Sequence, residues 1–393
     1  MKTVIKNAKI IIGNGLLIEK GSIAFDETGI LDIGEGVFEG DEVIDAAGKT
    51  VAPGFIDCHI HLGTASYPWT HGLFEEYDEV TVGIRACYQA QALLKSGITS
   101  VRVVGTKYGA DLQLRTMVEN GEIKAPRILA AGEVICITAG HGSEMGTECD
   151  TVGEVLKAAR TRVKQRANVI KLMPTSGIIG IGPSTEVQLS EEQIKAACDV
   201  GRAFNTPTCA HVMNYPAIGQ CVKAGLTSVE HGYELDEAAA KMMVEHGTWY
   251  IPTAVVTRNE SIYIPADYLP GADMKAKAAI AQQSVQNAVR VAIKAGVKMA
   301  VGTDTGCPYT DPEHFAYAEE LAIYKNCGMD PMDVFVCATK NGAELLRISD
   351  KVGTLEARKI ADLIIIDGDP LRDITDARKV ERVYRSGKLY YEA

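Results

Sequence analysis

The chain of 393 residues lacks several patterns that mark whole classes of protein. It contains no Cys-x-x-Cys pair, which argues against a zinc ribbon and against a thioredoxin-like redox protein. It contains no uncharged apolar stretch of about 18 residues, so we expect no membrane span. The apolar run at 10–12 is too short for the core of a secretion signal, and we expect no such signal.

Positive charge is also scarce. The 40 Lys and Arg residues face 51 Asp and Glu residues, which gives a net charge of −11 without a basic cluster. Binding to nucleic acid or to an anionic membrane is therefore not expected, and a small molecule is the expected partner. The ten cysteines are scattered singly, and several lie in apolar runs, which predicts reduced thiols in a cytoplasmic protein. A homo-oligomer is neither indicated nor opposed by these numbers.

Apolar patterning divides the chain into a middle and two similar ends. Residues 1–52 and 350–393 read as short strands separated by Gly, Asn and Asp, and we predict that they form one small β-sandwich domain together. Residues 53–349 alternate apolar runs with helical stretches, which predicts an α/β fold of the (β/α)8 TIM-barrel type. A doubly wound sheet is the alternative, although no Gly-x-Gly-x-x-Gly follows a strand. The predicted strands are Val51–Ile60, Ile98–Val104, Arg127–Val134, Asn168–Met173, Pro207–His211, Thr227–His231, Thr248–Thr253 and Val297–Asp304.

Histidines cluster at the ends of these predicted strands. His59 and His61 are two residues apart, so their side chains point to the same side of one strand. This pair alone is equally compatible with packing. However, only eight histidines exist in the chain, and His211, His231 and Asp304 end three other predicted strands. Imidazole and carboxylate together suit zinc, and also manganese, cobalt or iron, so we predict a divalent metal centre at the catalytic end of the barrel.

Lys171 is unusual because it lies within the apolar fourth strand, where a cation is costly to bury. One interpretation is a lysine that reaches solvent or pairs with a carboxylate. The other is that its amine carries CO2 as a carbamate, an anion able to bridge two metal ions. Burial near cations favours the neutral amine that this reaction requires.

These residues resemble a known family. The segment PGFIDCHIH at 53–61 is similar to the opening signature of the amidohydrolase superfamily. The remaining metal ligands of that superfamily are matched, in order, by Lys171, His211, His231 and Asp304. The segment GTLEARKIADLI at 353–364 resembles its closing segment, with Ala357 and Arg358 where Gly is often found. The loop TAGHG at 138–142 and the segment SVEHG at 228–232 resemble the prolidase-like and carboxypeptidase-like branch.

The resemblance implies a binuclear metal centre, with zinc as the first expectation. His59, His61 and Asp304 would hold the more buried ion and His211 and His231 the second, bridged by carbamylated Lys171 and a hydroxide. Asp304 would take the proton of that hydroxide and pass it to the leaving amine. In that branch the substrates are dipeptides or N-acyl amino acids. The alternatives are a hydrolase of a cyclic amide, lactone or urea, and a metal-free scaffold on the same fold.

Three further residues are candidates for contact with substrate. In the branch, a histidine after the third strand contacts substrate, which transfers to His141; the alternative is a loop histidine bonded to backbone. Tyr233 follows His231 and either donates to substrate or packs at the rim. Arg258 starts a long loop, 258–271, whose role the sequence does not define. It either binds a substrate carboxylate bidentately or is solvated.

Overall fold

The computed structural model describes residues 1–64, 77–178, 184–258, 271–306 and 316–393, and only the backbone of 271–275. The strands are β1 (Thr3–Ile11), β2 (Leu17–Asp26), β3 (Gly29–Gly34), β4 (Glu42–Asp45), β5 (Thr50–Pro53), β6 (Phe55–Ile60), β7 (Ile98–Val103), β8 (Arg127–Ala130), β9 (Val134–Cys136), β10 (Gly146–Glu148), β11 (Ile170–Leu172), β12 (Thr208–Val212), β13 (Ser228–His231), β14 (Trp249–Ile251), β15 (Leu363–Ile366), β16 (Val380–Arg385) and β17 (Lys388–Glu392). The α-helices are α1 (Glu79–Ala92), α2 (Ala110–Glu119), α3 (Val152–Lys164), α4 (Glu191–Ala203), α5 (Tyr215–Ala224), α6 (Glu237–His246), α7 (Gly271–Ala295), α8 (Ala316–Asn326), α9 (Pro331–Val336) and α10 (Gly342–Leu345).

Strands from both ends of the chain share one sheet. Its order is β17-β16-β15-β5-β1-β2-β3, and β4 pairs in parallel with β1. The junction is β5, which pairs with β1 on one side and, antiparallel, with β15 on the other. A separate apolar cluster that includes Ile5, Phe25 and Leu363 packs here. The predicted association of the two ends is therefore present as a sheet, while the domain boundaries stay a prediction.

The middle of the chain forms parallel strands covered by helices. One sheet has the order β6-β7-β8 and the other β10-β9-β11-β12-β13-β14. Every residue of β6, β7 and β12 is buried, as expected for parallel strands covered on both faces. The segment 297–305 runs between β14 and β6. Its Lys298 carbonyl accepts from the Tyr250 N–H (2.9 Å), and its Asp304 N–H donates to the His59 carbonyl (2.7 Å).

Three predicted strands differ from the structure. Val51–Ile60 is two strands, β5 and β6, which separate at Gly54, where a Cβ would lie 2.2 Å from the Thr99 hydroxyl oxygen. Arg127–Val134 ends as β8 at Ala130, and β9 begins at Val134. Val297–Asp304 is not a regular strand, because it makes a single isolated bridge, at Met299, and the next one follows it at Thr305. In each case, pairing with distant segments decides where a regular strand ends.

The helix starts follow local sequence signals. The Ser190 hydroxyl accepts from the Gln193 N–H, and the Gln193 side chain accepts from the Ser190 N–H, so α4 begins with the capping box that the sequence predicts. Among the described helices, none combines the length and the apolar character that crossing a bilayer requires. The cysteines of the described residues are free thiols, and all except Cys87 are buried.

Candidate metal centre

His59, in β6, and His61, directly after it, face the carboxylate of Asp304. The Nδ1 of His59 lies 2.7 Å from Glu230 Oε2, and the Nδ1 of His61 lies 2.9 Å from the Gly105 carbonyl oxygen. Because these partners are acceptors, each Nδ1 carries the proton and each Nε2 keeps its lone pair. Both Nε2 atoms lie 3.4 Å from Asp304 Oδ1. The two imidazoles therefore both turn Nε2 toward the same carboxylate oxygen.

The next two histidines are also oriented by hydrogen bonds. The Thr253 hydroxyl donates to the Pro252 carbonyl (2.8 Å) and therefore accepts from His231 Nδ1, at 2.7 Å. The Nε2 of His231 is left with its lone pair. His211 is oriented the other way round, since its Nε2 lies 3.0 Å from the Ser176 carbonyl oxygen and donates to it, which leaves Nδ1 as the ligand atom. The rings of His211 and His231 are 4.3 Å apart.

The donor set fits a divalent cation. His59, His231 and Asp304 each offer one ligand atom, and these atoms lie within 4.8 Å of one another in buried positions. Within the described part of the chain, the buried Nε2 of His59 has no hydrogen-bond partner. A buried lone pair of this kind is costly unless a proton or a cation meets it. Two imidazoles and a carboxylate suit zinc and related ions.

The protonation states also suit metal binding. Burial lowers the pKa of His61 to about 4, and it lowers the pKa values of His211 and His231 well below the usual range. Burial alone would raise the pKa of Asp304, but the nearby His59, His61 and Lys171 outweigh it and lower that pKa. At neutral pH the imidazoles of His61, His211 and His231 are therefore neutral and the carboxylate of Asp304 is ionised, as metal ligands must be.

Lys171 lies among these groups. It is the middle residue of β11 and is 1% exposed. Burial, with a smaller repulsion from Arg102, lowers the pKa of its amine. A protonated amine at this position would further lower the pKa values of His211 and His231, which shows that Lys171 lies close to these candidate ligands. Burial therefore favours the neutral amine, the form that reacts with CO2.

Comparison with known proteins agrees with this geometry. A sequence profile of the amidohydrolase family matches residues 50–390. The chain belongs to the amidohydrolase family. An ochratoxinase of Aspergillus niger is 28% identical over 386 residues, which cover 86% of this chain and 75% of that protein. A solved Xaa-Pro dipeptidase with bound methionine in its active site superposes with a TM-score of 0.89, at 29% identity and over 100% of both chains. A prolidase complexed with N-methylphosphonate-L-proline superposes with a TM-score of 0.88, at 29% sequence identity and over 100% of both chains.

The resemblance seen in the sequence is thus confirmed, including the prolidase-like branch among its structural neighbours. As an amidohydrolase with hydrolase relatives, the protein is a hydrolase acting on C–N bonds. Amidohydrolases generally bind divalent metals, and the buried His, His and Asp group provides a place for one.

Two of the residues predicted to contact substrate, His141 and Tyr233, lie beside candidate metal ligands. The ring of His141 lies 4.2 Å from that of His211, an approach that Gly177 permits, since a Cβ there would lie 2.6 Å from His141 Cε1. The Tyr233 ring is 5.8 Å from that of His231, and its hydroxyl is 3.5 Å from the Thr253 carbonyl oxygen.

Arg258 is placed in an internal ion pair. Its Nη1 lies 2.8 Å from Glu319 Oε2, with both side chains about one-third exposed (32% and 33%). A substrate carboxylate at Arg258 would therefore have to compete with Glu319 of the chain itself. Most of the long loop predicted at 258–271 lies outside the described residues.

Several residues around the ligands were not found by sequence reasoning. Glu230 and Arg102 form a buried ion pair next to His59, with Arg102 Nη2 2.8 Å from Glu230 Oε1. Burial alone would raise the pKa of Glu230, but Arg102 and His59 outweigh it and hold that pKa at about 2. Both residues are charges within apolar strands. A charge within an apolar strand is the same sequence signal that marks Lys171.

Proposed function

We propose that this amidohydrolase cleaves the amide bond of a dipeptide or of an N-acyl amino acid with the help of two divalent metal ions, zinc being the first expectation. The single observation that carries the proposal is the convergence of four buried imidazoles, a carboxylate and a buried lysine at the ends of neighbouring parallel strands. They are His59, His61, His211, His231, Asp304 and Lys171. The similar proteins, which include a dipeptidase, a prolidase and an ochratoxinase, support a small peptide-like substrate.

We further propose that the parallel strands close into a barrel. The Asn168 N–H donates to the Ala130 carbonyl (2.7 Å), which joins β8 to the segment leading into β11. The segment 297–305 bonds to β14 on one side and to β6 on the other. Closure would bring the candidate ligands together near the carboxyl ends of the strands, the end at which barrel enzymes act. The two chain ends then form the separate small domain, with boundaries at 1–52 and 350–393.

The ligand assignment follows from which nitrogen each histidine keeps free. His59 and His61 offer Nε2 together with Asp304 Oδ1 and would hold one ion. His211 would offer Nδ1 and His231 would offer Nε2 to the other ion. Lys171, as a carbamate, would supply an oxygen to each. Two bound ions lower the pKa of water and polarise the scissile carbonyl.

The remaining chemistry belongs to the chain itself. Asp304 is ionised at neutral pH, because its neighbours lower its pKa. Its carboxylate is thus able to hold the proton released by the attacking water and to return it to the nitrogen of the leaving amine. His141, beside His211, would donate to the substrate carbonyl or bind its carboxylate. Tyr233 would line the same end of the site.

The test is a substrate screen on protein produced with added zinc and bicarbonate. The panel contains dipeptides and N-acyl amino acids varied at the C-terminal residue, together with lactones, hydantoins and an organophosphate. We expect release of amino acids only from substrates that carry a free carboxylate. Ring opening or ester cleavage with no amino-acid release would keep the metal centre but refute the substrate class. A protein that holds no metal would refute the proposed centre.

A further inference from the structure

A buried arginine ties together two strands that carry candidate ligands. Arg102 lies in β7 and is 2% exposed. Its Nε–H donates to the carbonyl oxygen of Cys58, the residue before His59 in β6 (2.5 Å). Its Nη1 donates to the Ser228 hydroxyl (2.9 Å) and its Nη2 to both carboxylate oxygens of Glu230 (2.8 and 2.9 Å), all in β13. One guanidinium therefore spans β6 and β13 from the strand next to β6.

Glu230 transmits this arrangement to a ligand. Its Oε1 also accepts from the Ser228 hydroxyl (2.5 Å), and its Oε2 also accepts from His59 Nδ1 (2.7 Å). Each carboxylate oxygen thus receives two donors, so the plane of the carboxylate has little freedom. Because His59 donates to this carboxylate, the direction of its Nε2 lone pair is fixed by the same network.

The donor geometry distinguishes positioning from simple charge compensation. Any cation near Glu230 would compensate its buried charge. Only a planar fork reaches the Cys58 carbonyl, the Ser228 hydroxyl and both oxygens of Glu230 at once, whereas a lysine ammonium is a compact point charge on a flexible stem. All four groups are buried, so water does not substitute for a missing donor without opening the core.

We propose that Arg102 is a positioning residue, whose forked contacts hold Glu230 and thereby aim His59 at the metal. This inference rests on the metal centre of the proposed function. Hydrogen-bond partners behind metal ligands are typically worth about 10–100-fold in metal affinity. Arg102→Lys should therefore keep the positive charge without keeping the metal affinity of wild type.

The experiment compares wild type, Arg102→Lys and Arg102→Met after chelation and dialysis, titrated with Co2+. The readouts are the Co2+ dissociation constant and the visible d–d absorption, which reports ligand geometry without turnover. We expect weaker Co2+ binding by about 10–100-fold in Arg102→Met. We expect Arg102→Lys to recover thermal stability while its affinity stays several-fold below wild type and its spectrum stays shifted. If Arg102→Met does not fold, Arg102→Lys alone decides.

Arg162 provides a matched control. It is 3% exposed, and it likewise donates to a carbonyl (Glu133, 2.9 Å), a hydroxyl (Thr147) and a carboxylate (Glu133 Oε2, 2.8 Å), none of which is a candidate ligand. Arg162→Lys should lower thermal stability and leave both Co2+ readouts unchanged. Wild-type affinity and spectrum in Arg102→Lys would overturn the inference while leaving the proposed function intact. Absence of Co2+ binding by wild type would overturn both.

Discussion

Replacing Asp304 by Asn separates metal binding from proton transfer. Asp304 has a left-handed backbone (φ 57°) and is 7% exposed. Asn is nearly isosteric and tolerates this conformation, so the backbone should stay in place. The amide keeps one oxygen for a metal but no longer takes up a proton. Loss of a general base costs about 10²–10⁴-fold in rate, which is about 2.7–5.4 kcal/mol of transition-state stabilisation.

The assay is kcat on the best substrate of the screen, with metal content measured on the same samples. Asp111→Asn is the matched control, because Asp111 is fully buried and accepts backbone N–H groups of Leu112, Ala131 and Gly132 at 2.9–3.0 Å. It should lose about 1–3 kcal/mol of stability and keep its kcat. Wild-type kcat in metal-loaded Asp304→Asn would refute the role of Asp304 in proton transfer. An equal loss in Asp111→Asn would show that the effect is not specific to the site.

Three further outcomes are expected. Lys171→Ala should lower kcat by on the order of 100-fold or more. Wild type supplied with 13C-bicarbonate should show a carbamate carbon signal in NMR spectra that Lys171→Ala lacks, and a wild type without that signal would contradict the carbamate. Burial raises the pKa of Glu320 from 4.5 to about 8, so its protonated form is favoured on folding. The stabilisation of the folded state by protonated Glu320 is complete below pH 4.5 and is lost as the pH rises to about 8. In that window the free energy of unfolding of wild type, relative to that of Glu320→Gln, should fall by about 1.4 kcal/mol per pH unit. A difference that does not depend on pH would refute this. Removal of metal by a chelator should lower the midpoint of thermal unfolding. Metal added back at about 100 times its Kd should raise the free energy of unfolding by about 2.7 kcal/mol. An unchanged midpoint would show that folding and metal binding are not linked.

Short sequence patterns predict several local features of the fold correctly. The capping box of α4 depends on two residues, Ser190 and Gln193, and the sequence shows both. The two-residue period of strands predicts that His59, in β6, and His61, directly after β6, face the same side, and in the structure both face Asp304. Such signals are readable because the interacting groups are close in sequence or share a simple repeat.

The strand breaks and the hydrogen-bond partners of the ligands depend on contacts between residues far apart in the sequence. The break at Gly54 follows from β5 joining β15, which lies more than 300 residues away, while β6 joins β7. The partner of His59 is Glu230, 171 positions along the chain, and that of Glu230 is Arg102, 128 positions back. Composition and periodicity do not encode such distances. A charged residue within an apolar strand does indicate a buried partner of opposite charge, although it does not say which residue that partner is.

Backbone conformation at the site gives an independent reason to regard it as functional. His231 and Asp304 have φ of 68° and 57°, and Thr253, which orients His231, has φ of 48°. A β-branched residue in this region is strained by on the order of 1 kcal/mol or more and persists only where its surroundings determine it. Those surroundings are present, because Glu320 accepts the N–H groups of the two residues that follow Thr253, at 3.0 and 2.7 Å. A turn held against its own preference, and bonded to a candidate ligand, is better explained by the geometry of a reaction centre than by packing of the core.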